Sequence, residues 1–109
     1  MKYVIVAQIT ELSSGNKKKI TLDGKEILLT NIKDEFFAID NTCPHMGGSL
    51  DEGELDNNYV KCPKHGSVFD VTTGKLIKSG KMFFINIKAH DLKKYPVKIE
   101  GTDILIGIE

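Results

Sequence analysis

Arginine is missing from this chain: all fifteen basic residues are lysine. Guanidinium-type bidentate capture of phosphate or carboxylate is therefore out of reach. Net charge is missing as well, because fifteen acidic residues balance the lysines. Without a basic excess, neither nucleic acid nor an anionic membrane is an expected partner. Long hydrophobic runs are also lacking. The apolar run Val4-Ile5-Val6-Ala7 is too short for a signal-peptide core, and Gln8, Thr10 and Glu11 follow it with no small-residue cleavage site. No stretch approaches the roughly 20 apolar residues that span a bilayer. The run reads as a first strand, and the cytoplasm is the expected compartment by elimination. Cysteine is scarce, with only Cys43 and Cys62. If both bind metal, none remains for a disulfide, which suits a reducing compartment. With 109 residues, a single domain over 1–109 is expected, with one core and one site.

A sustained helical period is absent too. Only Ala89–Lys93 and the region around Leu50–Leu55 suit a helical turn. Strand signals recur instead at Tyr3–Ile9, Lys19–Leu22, Glu26–Asn31, Phe36–Asp40, Tyr59–Cys62, Ser67–Asp70, Lys75–Ile77, Phe83–Ile87, Tyr95–Glu100 and Ile104–Ile108. Most are rich in β-branched or aromatic residues. Turn formers such as Asp23-Gly24, Lys33-Asp34 and Asp56-Asn57-Asn58 separate them. The expected fold is all-β, built from two or three small antiparallel sheets. Val4-Ile5-Val6 and Ile104-Leu105-Ile106 are expected core. Lys17-Lys18-Lys19 reads as a solvated strand edge that blocks further pairing. Asp51-Glu52-Gly53-Glu54 reads as a polar turn. His90 has no partner at metal spacing and reads as a surface residue beside Asp91.

Between Asn41 and Gly80 the pattern changes, with glycine frequent and two cysteines, two prolines and two histidines in loops. The segments Cys43-Pro44-His45-Met46-Gly47-Gly48 and Cys62-Pro63-Lys64-His65-Gly66-Ser67 read C-x-H, then sixteen residues, then C-x-x-H. Each supplies one soft thiolate and one imidazole. Such a mixed set binds zinc or an iron–sulfur centre rather than magnesium or calcium. Proline fixes the backbone after each cysteine. Structural zinc sites usually pair like ligands within each half, as C-x₂₋₄-C and H-x₃₋₅-H. Here each half pairs unlike ligands, an arrangement suited to a cluster of two metal atoms with the thiolates on one iron and the imidazoles on the other. Zinc stays the competing occupant.

These two segments closely resemble the loops of the Rieske iron–sulfur family. The resemblance extends through Leu50-Asp51-Glu52-Gly53, Gly66-Ser67-Val68-Phe69-Asp70-Val71-Thr72-Thr73-Gly74 and Leu92-Lys93-Lys94-Tyr95-Pro96-Val97, and so covers nearly the whole chain. It implies a Rieske-type fold with an inserted cluster-binding unit near 41–80. One [2Fe–2S] cluster is implied on Cys43, His45, Cys62 and His65. The respiratory members carry a disulfide between the loops, at positions held here by Gly48 and Lys64, and a membrane anchor. The chain is more similar to the diffusible ferredoxins between a reductase and a terminal oxygenase, or to the small subunits of nitrite reductases. An electron carrier is implied, with no catalytic residue of its own. The third reading is a zinc-stabilised interaction module.

Charge counting sets the redox expectation. Two ferric ions, two sulfides and two thiolates sum to zero, so reduction gives −1, whereas four thiolates would take the centre from −2 to −3. Histidine ligation thus raises the potential, into about −150 to +300 mV. In high-potential relatives a serine and a tyrosine donate hydroxyl hydrogen bonds to the sulfurs. Ser67 stands at the serine position and is the implied donor, but Phe69 stands at the tyrosine position. With one donor of two and no disulfide, the lower half of that range is expected. The exposed histidine edge is the expected electron exit, rimmed by Met46, Gly47, Lys64, Gly66, Lys81 and Met82. The family's proline-containing cover has no counterpart in Ser79-Gly80-Lys81-Met82.

Overall fold

The computed structural model describes residues 1–44, 47–82, 85, 86 and 89–109. Strand β1 (Lys2–Gln8) pairs antiparallel with the last strand, β13 (Asp103–Ile108), which also pairs with β12 (Val97–Glu100). A second sheet runs β11 (Lys94–Tyr95), β4 (Glu35–Asp40), β3 (Lys25–Ile32), β2 (Asn16–Leu22). The third runs β5 (Glu54–Asp56), β6 (Tyr59–Lys61), β7 (Val68–Asp70), β8 (Leu76–Lys78). A short pair, β9 (Lys81–Met82) with β10 (Ile85–Asn86), follows it. All described pairings are antiparallel, and the fold class is the all-β one expected, in four sheets rather than two or three.

The second sheet carries a core on each face. Side chains of a strand alternate between its two faces, so the run Ile27-Leu28-Leu29 supplies both. Ile27 and Leu29 join Ala7, Ala38, Tyr95, Ile104 and Ile106 on the side of β1 and β13. Leu28 and Ile39 point the other way and join Cys43, Leu50, Val60, Cys62, Phe69, Val71 and Leu92. The two cysteines are therefore held in an apolar wall braced against the middle sheet. β2 is the outer strand of that sheet, as its lysines suggested, and Lys17 Nζ reaches the Asp51 carbonyl at 2.5 Å. The β2–β3 turn sets Asp23 and Gly24 at φ 51° and 75°, the double positive φ of a two-residue hairpin turn.

Four expectations need correction. In Val4-Ile5-Val6, Ile5 is 56% exposed because alternate strand residues face outward, and only Val4 and Val6 pack against the core. The run Tyr95–Glu100 is two strands: Tyr95 pairs with Ala38 in the second sheet and Val97 with Ile106 in the first. Pro96 between them has no N–H to extend a ladder. Ala89–Lys93 makes no helical turn, because the Leu92 N–H goes to the Gly74 carbonyl and the Asp91 carboxylate accepts from the Leu76 N–H. Around Leu50–Leu55 only Leu50–Glu52 form a 3-10 turn, and Glu54–Asp56 is a strand on β6. Phe83–Ile87 lies partly outside the described residues.

Tyr95 ties the middle sheet to the chain returning from the metal loops. Its hydroxyl donates to Asp40 Oδ1 at 2.6 Å, and Asp40 Oδ2 accepts from the Lys93 N–H at 3.3 Å. Burial, then the Asp40 hydrogen bond and charge, push the phenol above its ordinary range. An unfolded tyrosine loses its proton near pH 10, while the folded one keeps it. The unfolded chain then binds fewer protons, so stability is full below about pH 10 and falls as pH rises beyond it. Tyr95→Phe is expected to remove that alkaline slope and to cost about 2 kcal/mol at neutral pH, the worth of a hydrogen bond to a charged group. Urea titrations at neutral and alkaline pH measure both.

Candidate metal centre

The two cysteine segments are built on one frame. Cys43 N–H donates to the Gly48 carbonyl at 2.7 Å, and Gly47 N–H returns to the Cys43 carbonyl at 3.0 Å. In the second loop Cys62 N–H donates to the Ser67 carbonyl at 2.8 Å, and Gly66 N–H returns to the Cys62 carbonyl at 3.1 Å. Bridge pairs close each loop at its base, Thr42 with Ser49 and Lys61 with Val68. The fifth residue of each is glycine with φ of 69° and 82°, a left-handed conformation other residues adopt only at a cost. The same pair of hydrogen bonds thus occurs in both loops, with a cysteine at the same place in each.

The tips pack together. A Cβ on Gly48 would lie 2.6 Å from Cys62 Sγ and 3.7 Å from Lys64 Cβ. The second separation is that of a cystine's Cβ atoms, so Gly48 and Lys64 face each other where relatives were expected to carry a disulfide. Cys43 and Cys62 are 1% and 2% exposed, and His65 is half-buried at the surface. His45 lies outside the described residues. Among the described ones, no three His, Cys, Asp or Glu side chains gather at metal-holding separation. His90 is exposed, with Nδ1 2.9 Å from the Asp91 carbonyl, a surface residue as expected.

Ser67 is buried at 2% exposure, and its Oγ accepts the Gly80 N–H at 2.9 Å. A hydroxyl that accepts there still has its own proton to give. Gly80 comes this close because it has no side chain: a Cβ would lie 2.5 Å from the His65 carbonyl oxygen. The proline-free segment is therefore bound to the second loop, with the Lys81 N–H on the His65 carbonyl at 2.9 Å. Phe69 is fully buried in the same apolar wall as both cysteines. Phe69→Tyr is expected to add a donor and raise the midpoint by about 40 mV, from roughly 1 kcal/mol of hydrogen bonding at 59 mV per tenfold for one electron. A potentiometric titration reads the shift.

One residue that positions the site went unread in the sequence. Asn41, 1% exposed, donates from Nδ2 to Asp51 Oδ1 at 2.7 Å and accepts the Asp51 N–H at 2.9 Å. Its carbonyl takes the Leu50 N–H at 2.8 Å. Asn41 thereby clamps the chain entering the first loop to the chain leaving it. Its only sequence signal was a polar residue between a strand and Cys43. Asn41→Ala is expected to cost about 2–3 kcal/mol, because it leaves the Asp51 groups without partners. Urea unfolding followed by far-ultraviolet dichroism checks it.

A model of the Rieske [2Fe-2S] domain matches residues 2–96. The chain is 31% identical over 107 residues to the ferredoxin component of the naphthalene 1,2-dioxygenase system of Pseudomonas aeruginosa, covering 98% of this chain and 96% of that one. It is 34% identical over 107 residues to the biphenyl dioxygenase ferredoxin subunit of Pseudomonas sp. strain KKS102, covering 97% and 92%. The solved ferredoxin of carbazole 1,9a-dioxygenase from Nocardioides aromaticivorans IC177 matches at a TM-score of 0.85 and 28% identity over all of both chains.

The chain belongs to the Rieske [2Fe-2S] domain family. It is an electron-transfer protein with a Rieske [2Fe–2S] cluster as cofactor, not a catalytic subunit. The donor set fits such a group: two buried sulfurs on matching loops, an imidazole at the surface and a buried hydroxyl with a proton to spare.

Proposed function

We propose that this chain passes single electrons from a reductase to a terminal oxygenase, in the manner of the dioxygenase ferredoxins it is similar to. Cys43 and Cys62 would hold one iron, His45 and His65 the other, and Ser67 would donate a hydrogen bond to the cluster's sulfur side. The paired loop frame supports this most directly, because it brings one thiol of each segment into the same apolar wall. When bound, the cluster stores one electron at a potential raised by its two neutral ligands. The protein's own part is to exclude water on the cysteine side and leave the His65 side open.

A single domain over 1–109 with its cluster unit near 41–80 belongs to this proposal, and so does residence in the cytoplasm. No described helix is long and apolar enough to cross a membrane. The test is reconstitution. The purified protein, supplied with a ferredoxin reductase and a Rieske-type aromatic-ring oxygenase, should couple NADH oxidation to product formation. Oxygenase turnover that does not depend on added protein would contradict the proposal.

A further inference from the structure

The groove beside His65, about 550 Å³ in volume, brings together lysines from three separate segments: Lys61, Lys64 and Lys81. All three are exposed. Lys61 comes from the end of β6, and its Cε lies 3.3 Å from where a Cβ on Gly66 would stand. Lys64 sits on the second loop, its Cγ 3.3 Å from where a Cβ on Gly48 would stand, so its stem bridges the two loops. Lys81 is fixed by its N–H on the His65 carbonyl. Glu52 and Glu54 line the same groove, and Glu54 is the cross-strand neighbour of Lys61, so the lysines outnumber the acids there by three to two. Among the described residues the ion pairs are Lys19 with Glu26 and Lys98 with Glu100, so no described carboxylate lies within pairing distance of these three amines.

We infer that the electron exit at His65, flanked by Lys61, Lys64 and Lys81, docks an acidic face of the redox partner. This rests on the proposed ligation at His65. The chain as a whole has no net charge, so net attraction contributes little and the distribution of charge over the surface decides which face meets the partner. Lys64 and Lys81 belong to the segments that touch His65 and Gly48, while the two glutamates stand on β5 and the turn before it. Lys64 is the sequence neighbour of His65, and Lys81 is hydrogen-bonded to the His65 carbonyl, so two of the three amines belong to segments joined directly to the imidazole's residue. Docking an acidic patch there shortens the electron's path and turns away partners with a basic face.

Small inorganic oxidants of opposite charge test the sign without a natural partner. The reduced holoprotein is mixed by stopped flow with hexacyanoferrate(III), a trianion, or with hexaamminecobalt(III), a trication. Each takes one electron from the protein, giving hexacyanoferrate(II) or cobalt(II), and the protein returns to its oxidised state. The hexacyanoferrate rate should fall as salt rises and the cobalt rate should increase, because added ions screen attraction and repulsion alike. The triple substitution Lys61→Gln, Lys64→Gln, Lys81→Gln should slow hexacyanoferrate by at least about fivefold and speed the cobalt complex. A charge-matched control at Lys2, Lys18 and Lys25, none of which lines the groove, should leave both rates near the starting values. A change in driving force would move the two rates in the same direction, so opposite responses isolate the local field. Equal responses, reversed salt dependence or an equal effect of the control would overturn the inference while leaving the electron carrier in place. A colourless protein that reduces neither oxidant would overturn the proposed function and this inference with it.

Discussion

Cys62→Ser should yield a folded but colourless protein with at least about tenfold less iron; even partners outside the ligand shell typically change metal affinity 10–100-fold. The oxygen is a harder donor than sulfur and stays protonated at neutral pH, so it neither matches the iron nor cancels its charge. The backbone frame of the loop does not depend on the side chain: Cys62 N–H and carbonyl are engaged by Ser67 and Gly66. The core of Ile27, Leu29, Ile104 and Ile106 lies on the far face of the middle sheet and does not include Cys62. Far-ultraviolet dichroism should therefore change little while visible absorption and iron content collapse. A variant that keeps its colour would remove Cys62 from the ligand set.

Gly53→Ala should be among the most damaging single-methyl additions in the chain. A Cβ there would lie 1.9 Å from the Lys61 carbonyl oxygen and 3.3 Å from the Leu50 carbonyl oxygen. Both obstacles are backbone, so no rotamer change relieves them. Gly53 itself has an ordinary extended φ of −86°, and the cause is space rather than conformation. To make room, β5 must move away from β6, whose last residue leads into Cys62. Overpacking of this kind costs about 3 kcal/mol, roughly a quarter or more of a small domain's stability. Cluster release should accelerate too, since β6, the strand that loses its partner, leads into a proposed ligand. Urea unfolding and the rate of bleaching on warming measure the two effects.

These consequences differ in how far the sequence disclosed them. The family was legible because the C-x-H and C-x-x-H spacing at Cys43, His45, Cys62 and His65 is a local property of two short segments. The two-faced middle sheet had a signal that went unread, since an unbroken Ile27-Leu28-Leu29 run can be buried only if both faces are covered. The reason for Gly53 was not legible: a polar Asp-Glu-Gly-Glu stretch signals a turn, and only the arrival of Lys61 shows that the gap is closed. β5 was missed for a related reason. Glu54-Leu55-Asp56 has little strand preference of its own, and its pairing with Tyr59–Lys61 decides its conformation. At Tyr95–Glu100 the signal was present in Pro96 and was outweighed by the apolar residues around it. Asn41 and Gly80 act through contacts with residues ten or more positions away, Asp51 and Ser67, which no local pattern reports. His45 lies outside the described residues, and its part in the proposed ligand set rests on the sequence pattern.

The asymmetric pair of irons can be examined without a partner protein. Mössbauer spectra of the oxidised protein, grown on iron-57, should show two ferric environments in equal amounts, one bound by sulfur alone and one bound partly by nitrogen. Reduction by one electron should turn only the nitrogen-bound iron ferrous. A single iron environment, or zinc in place of iron, would contradict the account.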